Sequence, residues 1–188
     1  MDRRLGISTA IPPNFERPDR NDRNQRYEPL TYPGLRAISD LLKLQPGDVL
    51  YDLGCGKGRI VCWFAREPIK KSEGIDLDAS LTREASKNAQ ALIGRRAPIE
   101  INTGDAPSAD YSEATVVTLY NPFGAEVMRL VLENLTRSLV EHPRRLRLVY
   151  ASPAHIDVFA EFPQFPEVDR ISIPYDLGAM TVVFFEAK

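Results

Sequence analysis

The sequence predicts an α/β protein built on one mostly parallel sheet. Short apolar strand patterns alternate with longer helical patterns along most of the chain, as in βαβ units. The apolar segment Val49-Leu50-Tyr51-Asp52-Leu53 runs into glycines at 54, 56 and 58, and a helical pattern opens directly after them. The last two strand patterns are separated only by a tight turn around Asp176-Leu177-Gly178. A connection that short cannot cross to a parallel neighbour, so this pair must be an antiparallel hairpin.

Met1 to about Tyr27 is rich in Arg, Asp, Asn and Pro. It shows no period and is expected to be flexible by itself, a segment or lid apart from a domain at 28–188. Thr31-Tyr32-Pro33-Gly34 opens a helix with Leu35, Ile38, Leu41 and Leu42 on one face, ended by Pro46-Gly47. The strand Val49–Leu53 leads to a helix from Lys57 to about Glu67, stopped by Pro68. A strand at 72–76 is followed by a helix from Asp78 to about Ile93, with Gly94 beyond its end. After the strand at Ile99 the linker carries no convincing helix. Ala114 to Tyr120 is a run of apolar and β-branched residues, as in a buried central strand. The stripe Val127, Leu130, Val131, Leu135 and Leu139 marks a helix over 125–140. A strand at 145–152, a short helix at 154–162 and two strands near 170–175 and 180–186 complete the order.

The chain has 188 residues, the usual size of one domain with a sizeable core. Its composition, 43% hydrophobic and 27% charged, is that of an ordinary globular protein. A net charge of −2 gives no electrostatic case for broad nucleic-acid or membrane binding. No apolar run approaches a membrane span. Arg3-Arg4 lacks the apolar stretch of an export signal, so a cytoplasmic protein is expected. Cys55 and Cys62 have neither metal-site nor redox-pair spacing, and no metal is expected.

The glycine turn separates two ligand classes. A strand-to-helix turn without Cβ atoms lets main chain approach a ligand and aims N–H groups of the helix start at it. The dinucleotide fingerprint needs a third glycine where Arg59 stands, and the phosphate loop needs Ser or Thr after Lys57, where Gly58 stands. Asp52 at the strand end points to a ligand with a positive group. A second acid, Asp76, ends the next strand about 20 residues on, where a carboxylate can hold ribose hydroxyls. Asp78 reads as the cap of the following helix. A third acid, Asp105, follows the strand at Ile99 in Gly104-Asp105-Ala106.

The pattern D-x-G-x-G-x-G at 52–58 resembles motif I of class I S-adenosylmethionine-dependent methyltransferases. The resemblance implies a Rossmann-like three-layer sandwich whose seven-stranded sheet has the order 3-2-1-4-5-7-6. It implies S-adenosyl-L-methionine as cofactor. Asp52, Gly54, Cys55, Gly56 and Gly58 would meet its methionine part. Asp76 and Leu77 would meet the ribose, and Asp105 and Ala106 the adenine. Together with Tyr27-Glu28-Pro29-Leu30-Thr31-Tyr32 and Asn121-Pro122-Phe123, the motif is similar to a group of compact bacterial methyltransferases. That group is distantly related to seven-strand protein-lysine methyltransferases. The resemblance spans about 27–152.

On the acceptor side, Tyr120-Asn121-Pro122-Phe123 resembles the Asn-Pro-Pro-aromatic motif of enzymes that methylate amide or base nitrogens, with one proline instead of two. Asn121 is a catalytic candidate with Tyr120, and a turn or helix cap is its alternative. His155, after the fifth strand, is the histidine placed to act as a base, and a plain surface position explains it equally. His142 reads as a complement to a helix C-terminal dipole. Tyr27, Tyr32, Pro122 and Phe123 are candidate walls for the acceptor, which a cation would favour; packing of the N-terminal helix is the alternative. The expected partner is an acceptor substrate, a protein lysine or a small amine. The rival readings are a small-molecule O-methyltransferase, a non-catalytic cofactor-binding partner protein, and an NAD oxidoreductase, which Arg59 and the hairpin disfavour.

Overall fold

The computed structural model of the protein describes residues 1–11, 27–175 and 178–187. The elements are α1 (Asp2–Leu5), α2 (Tyr32–Leu42), β1 (Val49–Leu53), α3 (Arg59–Phe64), β2 (Lys71–Asp76), α4 (Ala79–Ala91), β3 (Ile99–Thr103), β4 (Val116–Tyr120), α5 (Ala125–Glu141), β5 (Leu146–Ala151), β6 (Glu167–Tyr175) and β7 (Gly178–Ala187). Single 3-10 segments stand at Ala106–Ser108 and Ile156–Glu161. The sheet is seven-stranded with the order β3-β2-β1-β4-β5-β7-β6. Strands β1 to β5 are parallel, and β7 runs antiparallel to both β5 and β6. This is the expected Rossmann-like three-layer arrangement. The hairpin residues Tyr175 and Gly178 pair, while Asp176 and Leu177 of the expected turn lie outside the described residues.

Central strands bury both faces because side chains alternate with a period of two. Val117, Leu148, Val183 and Phe185 point into one core with Val127, Met128, Val131 and Leu135 of α5. Their neighbours Val116, Val149, Val182 and Phe184 point into the other, with Leu35 and Ile38 of α2 and Ile60 and Phe64 near the glycine turn. The strand order reverses between β1 and β4, which leaves a crevice beyond their carboxyl ends.

Several boundaries differ from the sequence reading. A one-turn helix, α1, stands where no period was visible, and Leu5 and Ile7 are buried in the second core. Its docking is tertiary: Asn88 of α4 receives the Ser8 N–H at 2.8 Å, and the Leu5 carbonyl accepts from the Ile93 N–H. Helix α3 begins at Arg59, not Lys57, because residues 54–58 form the turn and Gly58 caps the helix at φ +77°. The β6 strand begins at Glu167, three residues early, since pairing with β7 sets its length. Leu41 and Leu130 remain exposed, so the helix stripes were read too wide. Asp78 caps α4 as expected, accepting from the N–H groups of Ser80 and Leu81.

Gly74, inside β2, was not singled out from the sequence. A Cβ there would come within 2.7 Å of both Cys55 Cβ and Val61 Cγ2. The glycine turn and α3 therefore press directly on the β2 main chain. Gly74→Ala is expected to cost about 1–3 kcal/mol of stability through overpacking, measured by urea denaturation. An unchanged midpoint would show that the turn can move away from β2.

Candidate functional site

The chain leaves β1 through a turn clamped to the end of β2. Gly54 and Cys55 both donate their N–H groups to the Ile75 carbonyl at 2.9 Å. The Gly56 N–H donates to Asp76 Oδ2 at 2.8 Å, and the Gly58 N–H to the Cys55 carbonyl at 2.8 Å. These turn N–H groups are thus committed within the protein; the N–H groups at the start of α3, which the sequence reading aims at a ligand, are not among them. The close approaches that the glycines allow are also internal. A Cβ on Gly54 would lie 2.4 Å from Pro122 Cβ, and one on Gly56 would lie 2.3 Å from the Tyr27 ring. Gly58 faces Ala85 of α4 at 3.1 Å. The positive φ of all three permits the turn itself.

A cleft open to solvent lies beyond this turn. It brings together Asp52, Gly54, Cys55, Asp76, Leu77, Asp105 and Ala106 from the expected cofactor set. Tyr27, Tyr120, Asn121, Pro122 and Phe123 complete the wall from the acceptor set. Gly56 and Gly58 shape the turn but do not line the cleft. Tyr32 does not line it either: its hydroxyl bonds Asp2 and its ring lies under Arg59, 4.8 Å from ring centroid to guanidinium carbon. The packing alternative holds for Tyr32, because α1 occupies the face it offers. His155 also stands outside the lining. Its main-chain N–H donates to the Tyr150 hydroxyl at 3.2 Å, and that hydroxyl lies 3.5 Å from Asn121 Oδ1.

Asn121 takes the left-handed conformation, φ +42°, which Asn tolerates better than most residues. Gly124, not Asn121, caps α5, so the cap alternative falls away. Ser152, at the end of the adjacent β5, is also left-handed at φ +50°. The two left-handed non-glycine residues thus stand at neighbouring strand ends.

The electrostatics are dominated by carboxylates. Among the described residues, Glu28, Asp52, Asp76 and Asp105 line the cleft, against one cationic side chain, Arg59. Asp52 is 1% exposed. Thr118 donates to its Oδ1 at 2.7 Å, and its Oδ2 has no hydrogen-bond partner. Burial pushes the Asp52 carboxyl up to about 8, helped by the charge of Asp76 and opposed by Thr118. Burial also raises Asp76, against the N–H groups of Asp78 and Gly56 that favour its charged form. Burial and the same two carboxylates push the Cys55 thiol well up, so it is no nucleophile at neutral pH.

Sequence reasoning missed two residues here. Arg59 was read only as a break in the dinucleotide fingerprint. Its Nε donates to Thr9 Oγ1 at 2.6 Å and its Nη1 to the Leu30 carbonyl at 3.0 Å, so it ties the N-terminal residues to the cleft wall. Glu28 was quoted within a motif but given no role. Its signal was a charge beside two aromatics. Among the described residues no His/Cys/Asp/Glu group could hold a metal ion, and no helix is long and apolar enough to cross a membrane.

No family model matches the chain. It is 34% identical over 97 residues to a protein-lysine N-methyltransferase of Saccharolobus islandicus. That match takes in 50% of this chain and 58% of the relative, so the chain spans little more than half of the relative's length. Among solved structures it is similar to an RNA methyltransferase from Salinibacter ruber in complex with S-adenosyl-L-homocysteine. The identity is 28% and the TM-score 0.59, over 85% of this chain and 94% of that one. Magnesium protoporphyrin IX methyltransferase from Synechocystis with bound S-adenosylmethionine shares the fold, at 16% identity and a TM-score of 0.59, over 82% of this chain and 74% of that one.

In the unfolded chain Asp52 would titrate near the ordinary carboxylate value, about 3.9. Between there and about pH 8 the folded protein holds the extra proton, so this group makes stability fall as pH rises, by up to about 1.4 kcal/mol per pH unit. Asp52→Asn is expected to remove that component between pH 5 and 8. Denaturation of both proteins across that range checks it, and parallel curves would reject the burial argument.

Proposed function

We propose that the protein is a class I S-adenosylmethionine-dependent methyltransferase that methylates nitrogen, on a protein lysine or a small amine. The charge pattern of the cleft carries the cofactor reading: among the described residues, four carboxyl groups, one guanidinium, and a buried carboxyl oxygen with no partner. S-adenosylmethionine fits this set because it carries a sulfonium and an α-ammonium and no phosphate. A dinucleotide would bring its pyrophosphate against those carboxylates, at a large desolvation and repulsion cost.

Asp52 would face the ammonium and Arg59 the methionine carboxylate. Asp76 would take the ribose hydroxyls, and Asp105 with the Ala106 N–H the adenine edge. Leu77 is 46% exposed at the cleft and gives apolar surface for the nucleoside. The cofactor supplies an activated methyl group on a good leaving group. The chain's own task is then mainly to orient an acceptor and exclude water. The Tyr120-Asn121-Pro122-Phe123 turn does this by placing two polar side chains and a buried aromatic at the end of β4. Burial and a bond to Tyr175 push the Tyr120 phenol up, so it remains a neutral hydrogen-bonding group. The described N-terminal residues, 1–11 with Tyr27, act as a cover for the cofactor side, while residues 12–26 of the expected lid lie outside the described residues. In support, the Thr9 carbonyl accepts from the Tyr27 hydroxyl at 2.5 Å and the Ala10 carbonyl from Lys57 Nζ at 3.3 Å.

Calorimetry is expected to show binding of S-adenosylmethionine and S-adenosylhomocysteine and none of NAD; binding of NAD alone would overturn the reading. Asp76→Ala should weaken cofactor binding by about 1–3 kcal/mol, the cost of losing hydrogen bonds to a charged partner, and unchanged affinity in a folded variant would reject that role. An ammonium beside Asp52 favours its charged form. Cofactor binding between pH 5 and 7 should therefore release a proton, seen as a buffer-dependent enthalpy that Asp52→Asn abolishes. Radiolabelled cofactor incubated with a lysate should mark the protein or small-amine fraction; label confined to RNA would refute the acceptor proposal.

A further inference from the structure

A second, open groove adjoins the cleft along the end of β5 and the β6–β7 hairpin, walled by Ser152, Pro153, Tyr175 and Met180. Glu28 and Tyr120 line both cavities and so form their shared rim. A hydrogen-bond chain fixes that rim. The Tyr120 hydroxyl donates to the Tyr175 hydroxyl at 3.3 Å, and the Tyr175 hydroxyl donates to the Glu28 carboxylate. It joins the segment before α2 to the ends of β4 and β6, which are distant in sequence.

Glu28 is exposed, and among the described residues it makes no ion pair. The groove's guanidinium, Arg170, is held by both carboxylate oxygens of Glu167 at 2.8 and 2.7 Å. The rim therefore presents an uncompensated negative charge beside two phenol rings, a setting that favours a cation. A neutral hydroxyl can donate a hydrogen bond to the carboxylate but brings no charge to pair with it, and the phosphates of a nucleic acid are repelled.

We propose that Glu28 is the specificity-determining residue of the acceptor site, binding the ammonium of an alkylamine beside Tyr120 and Tyr175. The proposal rests on the methyltransferase reading for its purpose, though not for its geometry. Lysine side chains and free alkylamines share this chemistry.

The probe is n-butylammonium, with 1-butanol as neutral control, followed by saturation-transfer NMR on the full chain in the presence of S-adenosylhomocysteine. The wild type should bind the cation and not the alcohol. Glu28→Gln, a near-isosteric change at an exposed site, should weaken the cation about tenfold, as expected for losing a hydrogen bond between charged groups. Tyr175→Phe should weaken it less, since the carboxylate remains. In turnover with a lysine peptide or with n-butylamine, Glu28→Gln should raise KM for the amine far more than it lowers kcat, and the better of the two acceptors identifies the source. Equal binding of cation and alcohol, or unchanged cation binding in Glu28→Gln, would overturn the proposal. Calorimetry with S-adenosylmethionine on the same samples tests the methyltransferase reading separately: an intact cofactor isotherm with no amine binding condemns Glu28 alone.

Discussion

The site depends on how the main chain leaves β1. One carbonyl, Ile75 at the end of β2, takes two N–H groups of the turn, and the Asp76 carboxylate takes a third. This ties the carboxyl ends of the two strands into one rigid corner at the point where the strand order reverses. The glycines serve the corner by letting Pro122 and Tyr27 pack where side chains would otherwise stand. The turn is thus a packing hub first, and the ligand surface is what remains around it.

That corner also gathers negative charge. Burial raises the cost of ionising both Asp52 and Asp76, and the Asp76 charge at the neighbouring strand end raises that of Asp52 further. Such an arrangement is destabilising by itself. It becomes useful when a positively charged ligand arrives, because the ligand's charge offsets the cost of ionising Asp52, whereas a phosphate would add to that cost. The same logic extends outward to Glu28, where the charge sits at the rim.

The N-terminal residues contribute to this site through contacts that depend on the rest of the fold. Arg59 links Thr9 and Leu30 to the first turn of α3, and Asn88 of α4 holds both Ser8 and the Lys57 carbonyl. Residues 8–9 and Asn88 thus brace, without lining the cleft, the stretches at Leu30 and 57–59 beside it. Stiffness at one is felt at the others, because the guanidinium and amide groups concerned have little freedom once paired.

The sequence by itself determined the order of the strands and main helices from α2 onward, the antiparallel hairpin and the acids at three strand ends. These follow from period-two and helical patterns, glycine spacing and connection length, all local properties of the chain. Even Asp78 as a cap and Gly58 at a left-handed position are decided within a few residues. Only the tertiary structure decided that Tyr32 packs under Arg59 instead of facing the cleft, that the turn N–H groups are already taken, and that Glu28 meets Tyr175 across 147 positions of sequence. Those outcomes turn on which side chains reach each other after the sheet has formed. Hydrogen bonds and burial are satisfied globally, and no spacing along the chain encodes the partner.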